Sequence, residues 1–181
     1  MLLEPEKENI ESYARLILTA ARTAPKAKGE DDIVTGIVEN NEIDILAVTM
    51  EEISDKKGQK FEFFKRDAKN VRDADCVILI GLKKCGPLFL NCGACGFQSC
   101  EDMLATSKVD NEYIGPNCSI KYIDLGLSIG SAVSKAKDLC VDNRVLYTGG
   151  VAAIRSGLLE VDMAYAIPLK VSGKNIFFDR K

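Results

Sequence analysis

The sequence contains no histidine among its 181 residues, and it also lacks tryptophan. Histidine is the commonest general base and a frequent nitrogen ligand in protein sites. Its absence excludes serine–histidine catalytic triads and zinc sites of mixed Cys/His composition. Any proton donor in this chain must therefore be a tyrosine, a lysine, a carboxylic acid or water.

A strong charge of either sign is also lacking. Lys and Arg number 24 against 27 Asp and Glu, so the formal net charge is −3. This mild acidity gives no electrostatic reason to expect nucleic acid or an anionic membrane as a partner. The longest apolar runs, such as Cys76–Ile80, are too short to span a bilayer, and the first residues lack the basic start and apolar core of a secretion signal. The sequence therefore predicts a cytoplasmic protein.

The sequence is, by contrast, rich in cysteine. There are seven cysteines, and five of them fall between positions 85 and 118. Disulfides are disfavoured in a reducing compartment, so clustered cysteines indicate metal or redox chemistry. Four of the five have the spacing C-x2-C-x4-C-x17-C: Cys92, Cys95, Cys100 and Cys118. Three thiolates close in sequence can bind three corners of a cubane cluster, and a distant fourth completes the set.

Two glycines support this interpretation. Gly93 and Gly96 each follow a cysteine, where glycine permits tight curvature and leaves backbone N–H groups free to face cluster sulfurs. The main alternative is a structural zinc with four cysteine ligands, although zinc ribbons usually supply two C-x2-C pairs and this chain has one. Free thiols are the remaining alternative.

The three other cysteines have separate predictions. Cys85 is an alternative to Cys118 as the fourth ligand. Cys76 lies within an apolar run and Cys140 at the predicted end of a helix, so both are predicted to be small core residues.

Hydrophobic periodicity predicts alternating helices and strands outside the cysteine-rich segment. Helices are predicted at Glu6–Thr23, 40–57, within Phe61–Ala74, at Ser119–Cys140 and near Val151–Leu158. Strands are predicted at Asp32–Glu39, Cys76–Leu82, Arg144–Tyr147, Met163–Val171 and Asn175–Phe178. The change in composition predicts an α+β core of residues 1–84 and 119–181, with residues 85–118 as an inserted cluster module.

The segment from Cys92 to Cys118 resembles the four-cysteine domain of electron-transfer subunits and corrinoid iron–sulfur proteins, which binds a 4Fe-4S cluster through C-G-x-C-G-x-x-x-C and a later cysteine. Here Ser119 follows the last cysteine, where that domain often has proline. The flanks resemble the nitroreductase-like flavoprotein fold, at residues 18–25, 74–80, 124–136 and 161–169. The whole chain is identified as a member of the family of uncharacterised ferredoxin-domain proteins, which implies a nitroreductase-like sheet flanked by helices, with the iron–sulfur module inserted.

The same resemblance implies an FMN cofactor. In that fold the basic loop after the first helix grips the flavin phosphate and a late arginine helps, which by position implies Arg22, Thr23, Lys26, Lys28 and Arg180. A solvated basic loop is the alternative, and Glu30-Asp31-Asp32 adds negative charge beside it. Two further glycines could lie against the flavin ring or simply make a turn: Gly149 and Gly150.

Three functions follow from these observations. The first is an oxidoreductase in which a 4Fe-4S cluster exchanges electrons with FMN, with a ferredoxin as redox partner. The second is a non-enzymatic electron carrier or redox sensor that uses the cluster alone. The third is a zinc-binding structural protein. The resemblance also implies a homodimer across the long helix at 119–140.

Overall fold

The computed structural model describes Met1 and residues 3–178. The helices are α1 (Ile10–Thr23), α2 (Ile43–Lys57), α3 (Phe63–Arg72), α4 (Cys100–Ala105), α5 (Ser119–Asp138) and α6 (Tyr147–Arg155). Short 3-10 turns span Pro5–Asn9, Ala27–Gly29 and Gln59–Phe61. The strands are β1 (Ile33–Ile37), β2 (Cys76–Leu82), β3 (Val109–Asp110), β4 (Ile114–Gly115), β5 (Asp142–Asn143) and β6 (Met163–Lys170).

An antiparallel sheet with the strand order β1-β2-β6-β5 forms the centre of the fold. Every residue of β2 is buried, which confirms the prediction of a central strand at Cys76–Leu82. Alternate side chains of a strand point to opposite faces, and both faces of this one are covered. Ile78 and Ile80 pack with residues of α1 and α5, whereas Val77 and Leu79 pack with residues of α2, α3 and α6.

Two predicted strands near the carboxyl end are wrong. Only Leu146 of the predicted strand at 144–147 bridges to Ala166, and the next residue already begins α6. The predicted strand at 175–178 is a turn. There the Asn175 side chain accepts a hydrogen bond from the Phe177 N–H at 3.0 Å and donates one to Asp142 at 3.0 Å, so local bonds replace sheet pairing.

The cysteine-rich segment leaves the sheet after β2 and returns at the start of α5. Its two ends meet, because the N–H of Cys118 donates to the carbonyl of Cys85 at 3.0 Å. The Cys85 N–H in turn donates to Asp162 at 2.8 Å. A small hairpin of β3 and β4, which sequence reasoning missed, is fastened to the core where the Tyr113 hydroxyl donates to the carbonyl of Ala164 at 2.6 Å. Such closely spaced ends are what an inserted segment requires, although the division into two units stays a prediction.

None of the helices in the described part of the chain combines the length and apolar character needed to cross a membrane.

Candidate metal centre

All four cysteines of the C-x2-C-x4-C-x17-C pattern line a single cavity. Cys92 is exposed and Cys95 is half-buried, whereas Cys100 and Cys118 are buried. The cavity therefore lies between the interior and a solvent-facing edge. Each of the four thiols is free of any disulfide.

Left-handed backbone conformations shape the loop that carries the first two cysteines. Gly93 has a φ of 71° and Gly96 a φ of 87°, values at which glycine is favoured. The N–H of Gly96 donates to the carbonyl of Gly93 at 2.9 Å, which closes a tight turn around Cys95. The predicted curvature at these two glycines is confirmed.

The third cysteine is fixed by helix capping. Ser99 caps α4, since its hydroxyl accepts from the Asp102 N–H at 3.0 Å and its own N–H donates to the Asp102 carboxylate at 3.2 Å. The N–H of Cys100 donates to the Asn91 side chain at 2.8 Å. These bonds hold Cys100 at the first position of the helix and tie it to the residue that precedes Cys92.

The fourth cysteine precedes the longest helix. Cys118 is the N-cap residue of α5, and the hydroxyl of Ser119 donates to the carbonyl of Ala94 at 3.1 Å. This bond joins the start of α5 to the loop between Cys92 and Cys95. The positive end of the helix dipole lies here, and it favours an anionic group nearby.

The rest of the cavity wall is largely apolar. It includes Pro87, Leu88, Leu90, Phe97, Met103 and Ile120. An apolar surrounding limits access of water to a bound group and lowers the local dielectric, both of which tune the redox potential of a metal centre.

The remaining cysteines lie elsewhere. Cys85 is fully buried in the core and is absent from the cavity wall, and burial raises the pKa of its thiol to about 12. Cys76 is buried in β2 as predicted, and burial raises its pKa to about 11. The prediction for Cys140 is wrong, because this residue is exposed just after α5, with a left-handed φ of 57°.

The side chains around the cavity suit a cluster in their chemistry. Within the described residues, no three His, Cys, Asp or Glu side chains are grouped closely enough to hold one metal ion. A cubane cluster occupies more space than a single ion, because each of its four iron atoms takes its own thiolate. Four thiols around a shared apolar cavity supply the set of donors that such a cluster requires.

The basic loop predicted to grip a phosphate is held by its own carboxylates. Nη1 of Arg22 donates to Asp31 at 2.8 Å and to the carbonyl of Ile33 at 2.5 Å. Nζ of Lys26 lies 3.8 Å from the Asp31 carboxylate, and Nζ of Lys28 lies 3.6 Å from that of Glu30. The structure therefore brings Arg22, Lys26 and Lys28 near one another, but each of the three already pairs with an acidic side chain.

Two charged residues that sequence reasoning missed join this loop to α5. The buried Lys121 pairs with Asp32 at 2.5 Å and lies 3.8 Å from Glu30. Asp124, also buried, accepts a hydrogen bond from the Ala27 N–H at 3.0 Å. Both belong to the first turns of the helix that follows Cys118. Charged side chains near the apolar face of a predicted helix were the signal that could have identified them.

The loop also touches the wall of the cysteine cavity. Nζ of Lys28 lies 3.4 Å from the carbonyl of Leu88, a residue of that wall. The hydroxyl of Thr23 donates to the carbonyl of Thr19 within α1 at 3.1 Å. The late arginine, Arg180, lies outside the described residues.

Gly149 and Gly150 do not form a turn, contrary to that part of the prediction. Both are buried inside α6, which packs against β6. A Cβ atom on Gly150 would lie 1.8 Å from the carbonyl oxygen of Ala164, and one on Gly149 would lie 2.6 Å from Cβ of Ala166. The two glycines therefore allow the helix to approach the strand, and the space next to them is filled by protein.

Comparisons with known proteins agree with this architecture. A solved structure of a putative nitroreductase in complex with FMN, from Desulfovibrio desulfuricans, superposes with a TM-score of 0.55. The match covers 94% of this chain and 79% of that one at 17% sequence identity. At this identity the likeness establishes the fold alone, and it confirms the predicted nitroreductase-like arrangement of helices and sheet.

Sequence comparison identifies the family. The model of the family described as "Uncharacterized protein containing a ferredoxin domain (DUF2148)" matches residues 114–180, a range that includes Cys118. An uncharacterized protein of Archaeoglobus fulgidus is 37% identical over 175 residues, which cover 97% of this chain and 94% of that protein. A ferredoxin domain implies an iron–sulfur cluster. The chain belongs to this family of ferredoxin-domain proteins, as the sequence predicted.

Proposed function

We propose that this protein transfers electrons through a 4Fe-4S cluster bound by the thiolates of Cys92, Cys95, Cys100 and Cys118. The observation that carries the proposal is that all four residues of the spacing pattern line one apolar cavity. When bound, such a cluster accepts and releases single electrons. No step in the proposal needs a general base, which agrees with the absence of histidine.

The protein's own residues have three tasks in this function. The turns at Gly93 and Gly96 and the cap at Ser99 hold the thiolates in place. The start of α5 directs its positive dipole end towards the anionic group. The exposed edge at Cys92 leaves the short route between cluster and solvent that a redox partner needs.

The assembly and surroundings of the protein follow from the same proposal. A small low-potential carrier, such as a ferredoxin, is the partner we expect at the exposed edge. We place the protein in a reducing cytoplasm, where thiols stay available for iron. A homodimer across α5 is supported by the exposed residues Gly126, Leu127 and Gly130 on its outer side. Residues 85–118 would then form the cluster module, carried by a core made of residues 1–84 and 119–181.

An oxidoreductase that also uses FMN is the second candidate function. The solved putative nitroreductase with this fold is in complex with FMN, and Lys28 contacts Leu88, so the basic loop lies beside the cysteine cavity. FMN would add two-electron chemistry to a one-electron centre. The ion pairs of the loop count against phosphate binding there, so the geometry supports the carrier function better.

Anaerobic purification tests these functions directly. We expect about four iron and four sulfide per chain, with a broad, bleachable absorbance shoulder at about 400 nm. Bands at about 450 nm with a near-ultraviolet companion would indicate flavin instead or in addition. A colourless protein that contains one equivalent of zinc and no iron would reject the proposal.

A pair of variants tests the ligand assignment. Cys95→Ser removes a thiolate from the cavity wall and should abolish iron incorporation. Cys140→Ser removes an exposed thiol elsewhere and should leave the iron content unchanged. Equal iron content in the two variants would show that the assignment is wrong.

A further inference from the structure

We infer that Asp31 is a built-in anion that fills the cationic site of the basic loop, so that this loop does not bind the phosphate of FMN or of any other phosphate ester. The inference concerns a site separate from the cysteine cavity, and it does not depend on the cluster. It goes beyond the proposed function, because it defines which ligands the loop excludes.

The contacts of Asp31 are those that a bound phosphate would make. Its carboxylate accepts from Nη1 of Arg22 at 2.8 Å and from the N–H of Ile33 at 3.1 Å. Nζ of Lys26 lies 3.8 Å from Oδ1, the oxygen that accepts from the Ile33 N–H. A guanidinium, an ammonium and a backbone N–H are the groups that proteins combine to hold phosphate oxygens. Here the anion at their centre belongs to the chain itself.

The Nη1 atom of Arg22, which faces Asp31, has both of its hydrogens in use. Besides Asp31, Nη1 donates to the carbonyl of Ile33 at 2.5 Å, and Nη2 lies 3.5 Å from the hydroxyl of Thr35. The side chain of Lys26 is only 7% exposed and also donates to the carbonyl of Arg22. A phosphate could take the position of the Asp31 carboxylate only by displacing it from Arg22 and Lys26.

The neighbouring charges also oppose a second anion. Lys28 pairs with Glu30, and the buried Lys121 pairs with Asp32 and Glu30. Of the loop's backbone donors, the N–H of Ala27 is taken by Asp124. A phosphate dianion would therefore enter a region where nearby carboxylates balance the cations. Like charges a few ångströms apart repel one another, most strongly where water is partly excluded.

The experiment compares two ligands that differ only in the phosphate. Anaerobically purified wild type and Asp31→Ala are titrated with FMN and with riboflavin, and binding is followed by quenching of flavin fluorescence. For wild type we expect FMN to bind no more than about twofold more tightly than riboflavin, a difference well below one factor of ten in Kd. For Asp31→Ala we expect a preference for FMN of about tenfold or more. Inorganic phosphate should compete with FMN in that variant.

Two further variants keep the test decisive. Asp31→Asn keeps the size of the side chain, and should gain a smaller preference for FMN because the amide still fills the site. Asp55 forms an exposed ion pair with Lys65 at 2.5 Å, outside the basic loop. Asp55→Ala removes the same charge as Asp31→Ala, and should change the affinity for neither FMN nor riboflavin.

Two results would overturn the inference. One is wild-type protein that prefers FMN over riboflavin by tenfold or more and releases it to inorganic phosphate. The other is an Asp31→Ala protein with the wild-type circular dichroism spectrum but no gain in FMN affinity. If both Asp31 variants fail to fold, the wild-type comparison still decides whether the loop takes phosphate. A protein without iron would refute the proposed cluster but leave this comparison of ligands readable.

Discussion

The cysteine cavity and the basic loop are neighbours that differ in what their side chains contact. Both regions gather residues that the sequence predicted to bind a cofactor. In the cavity, four thiols surround a shared space with apolar walls. In the loop, the cations contact carboxylates of the same chain. Convergence of suitable side chains is therefore not enough for a ligand site, because the groups must also keep bonding capacity that the protein has not used.

The largest effect that separates the two regions is expected at the fourth cysteine. Cys118→Ser removes a thiol from the cavity wall, and we expect iron to fall from about four per chain to nearly none. Cys85→Ala is the matched change at a core thiol beside it in space, and it should retain iron with a moderate loss of stability. Iron and sulfide analysis after anaerobic purification measures both. Iron retained in Cys118→Ser but lost in Cys85→Ala would identify Cys85, and not Cys118, as the fourth ligand.

The next effect tests whether the glycine pair serves packing. Gly150→Ala forces a Cβ atom to within 1.8 Å of the Ala164 carbonyl oxygen, so α6 must move away from β6. We expect a loss of about 3 kcal/mol in the free energy of unfolding, the upper part of the range for an overpacked core. Gly173→Ala is the control, because Gly173 is exposed, lies away from α5 and has open space where the Cβ atom would be added. It should change the free energy of unfolding by less than about 0.5 kcal/mol.

Urea unfolding of both variants checks this prediction. A Gly150→Ala protein as stable as wild type would mean that the space beside α6 is open. The interpretation of these glycines as part of a flavin site would then regain support.

Local sequence signals predicted most of the fold, and their failures have physical causes. The apolar run at Cys76–Leu82 identified the central strand because continuous burial on both faces leaves a pattern in the sequence itself. The strand predicted at Asn175–Phe178 failed because side-chain bonds of Asn175 form a local turn, which hydrophobic content does not reveal. Adjacent glycines such as Gly149 and Gly150 are typical of a turn. Here they let α6 approach β6, a strand that comes later in the chain, so the local sequence could not reveal their role.

For the candidate site, too, the sequence revealed local patterns but not contacts between distant residues. The cysteine spacing is a local pattern, so the sequence could indicate four residues that the structure then places around one cavity. The basic loop is different, because some of its groups have partners far away in the sequence. Lys121 pairs with Asp32 across 89 positions, and Asp124 accepts from the Ala27 N–H across 97 positions. The sequence showed that acidic residues lay beside the cations. It could not show that each cation is paired.

A smaller effect tests how the cysteine-rich segment is fastened to the core. Tyr113→Phe removes the hydrogen bond to the Ala164 carbonyl, and we expect a loss of about 1 kcal/mol in unfolding free energy. Burial raises the pKa of this phenol above its usual range, so the hydroxyl remains a donor at neutral pH. The iron content should stay unchanged, because Tyr113 does not line the cavity.

Tyr13→Phe, on α1, is the control. Its hydroxyl makes no hydrogen bond within the part of the chain that the structure describes, so its removal should have almost no effect. Loss of iron in Tyr113→Phe would show that the hairpin shapes the cavity itself. The hydrogen bond of Tyr113 would then contribute to cluster binding as well as to stability.

The smallest expected effect is the pH dependence of the Asp31 ion pair. Burial alone would raise the pKa of Asp31, but hydrogen bonds from Arg22 and the Ile33 N–H, with the charges of Arg22 and Lys26, hold it below its usual 3.8. The folded state therefore favours the carboxylate. Its stabilising contribution is complete above pH 3.8 and disappears as the pH falls through the lower folded pKa.

We expect Asp31→Asn to cost less than about 1 kcal/mol at pH 7, because the pair is partly exposed and screened by water and salt. The difference from wild type should shrink towards zero below the folded pKa, where both side chains are neutral, and urea unfolding at neutral and acidic pH measures it. A difference that grows on acidification would mean that Asp31 is held protonated. Arg22 and Lys26 would then be free to bind an outside anion, and the contrast between loop and cavity would disappear.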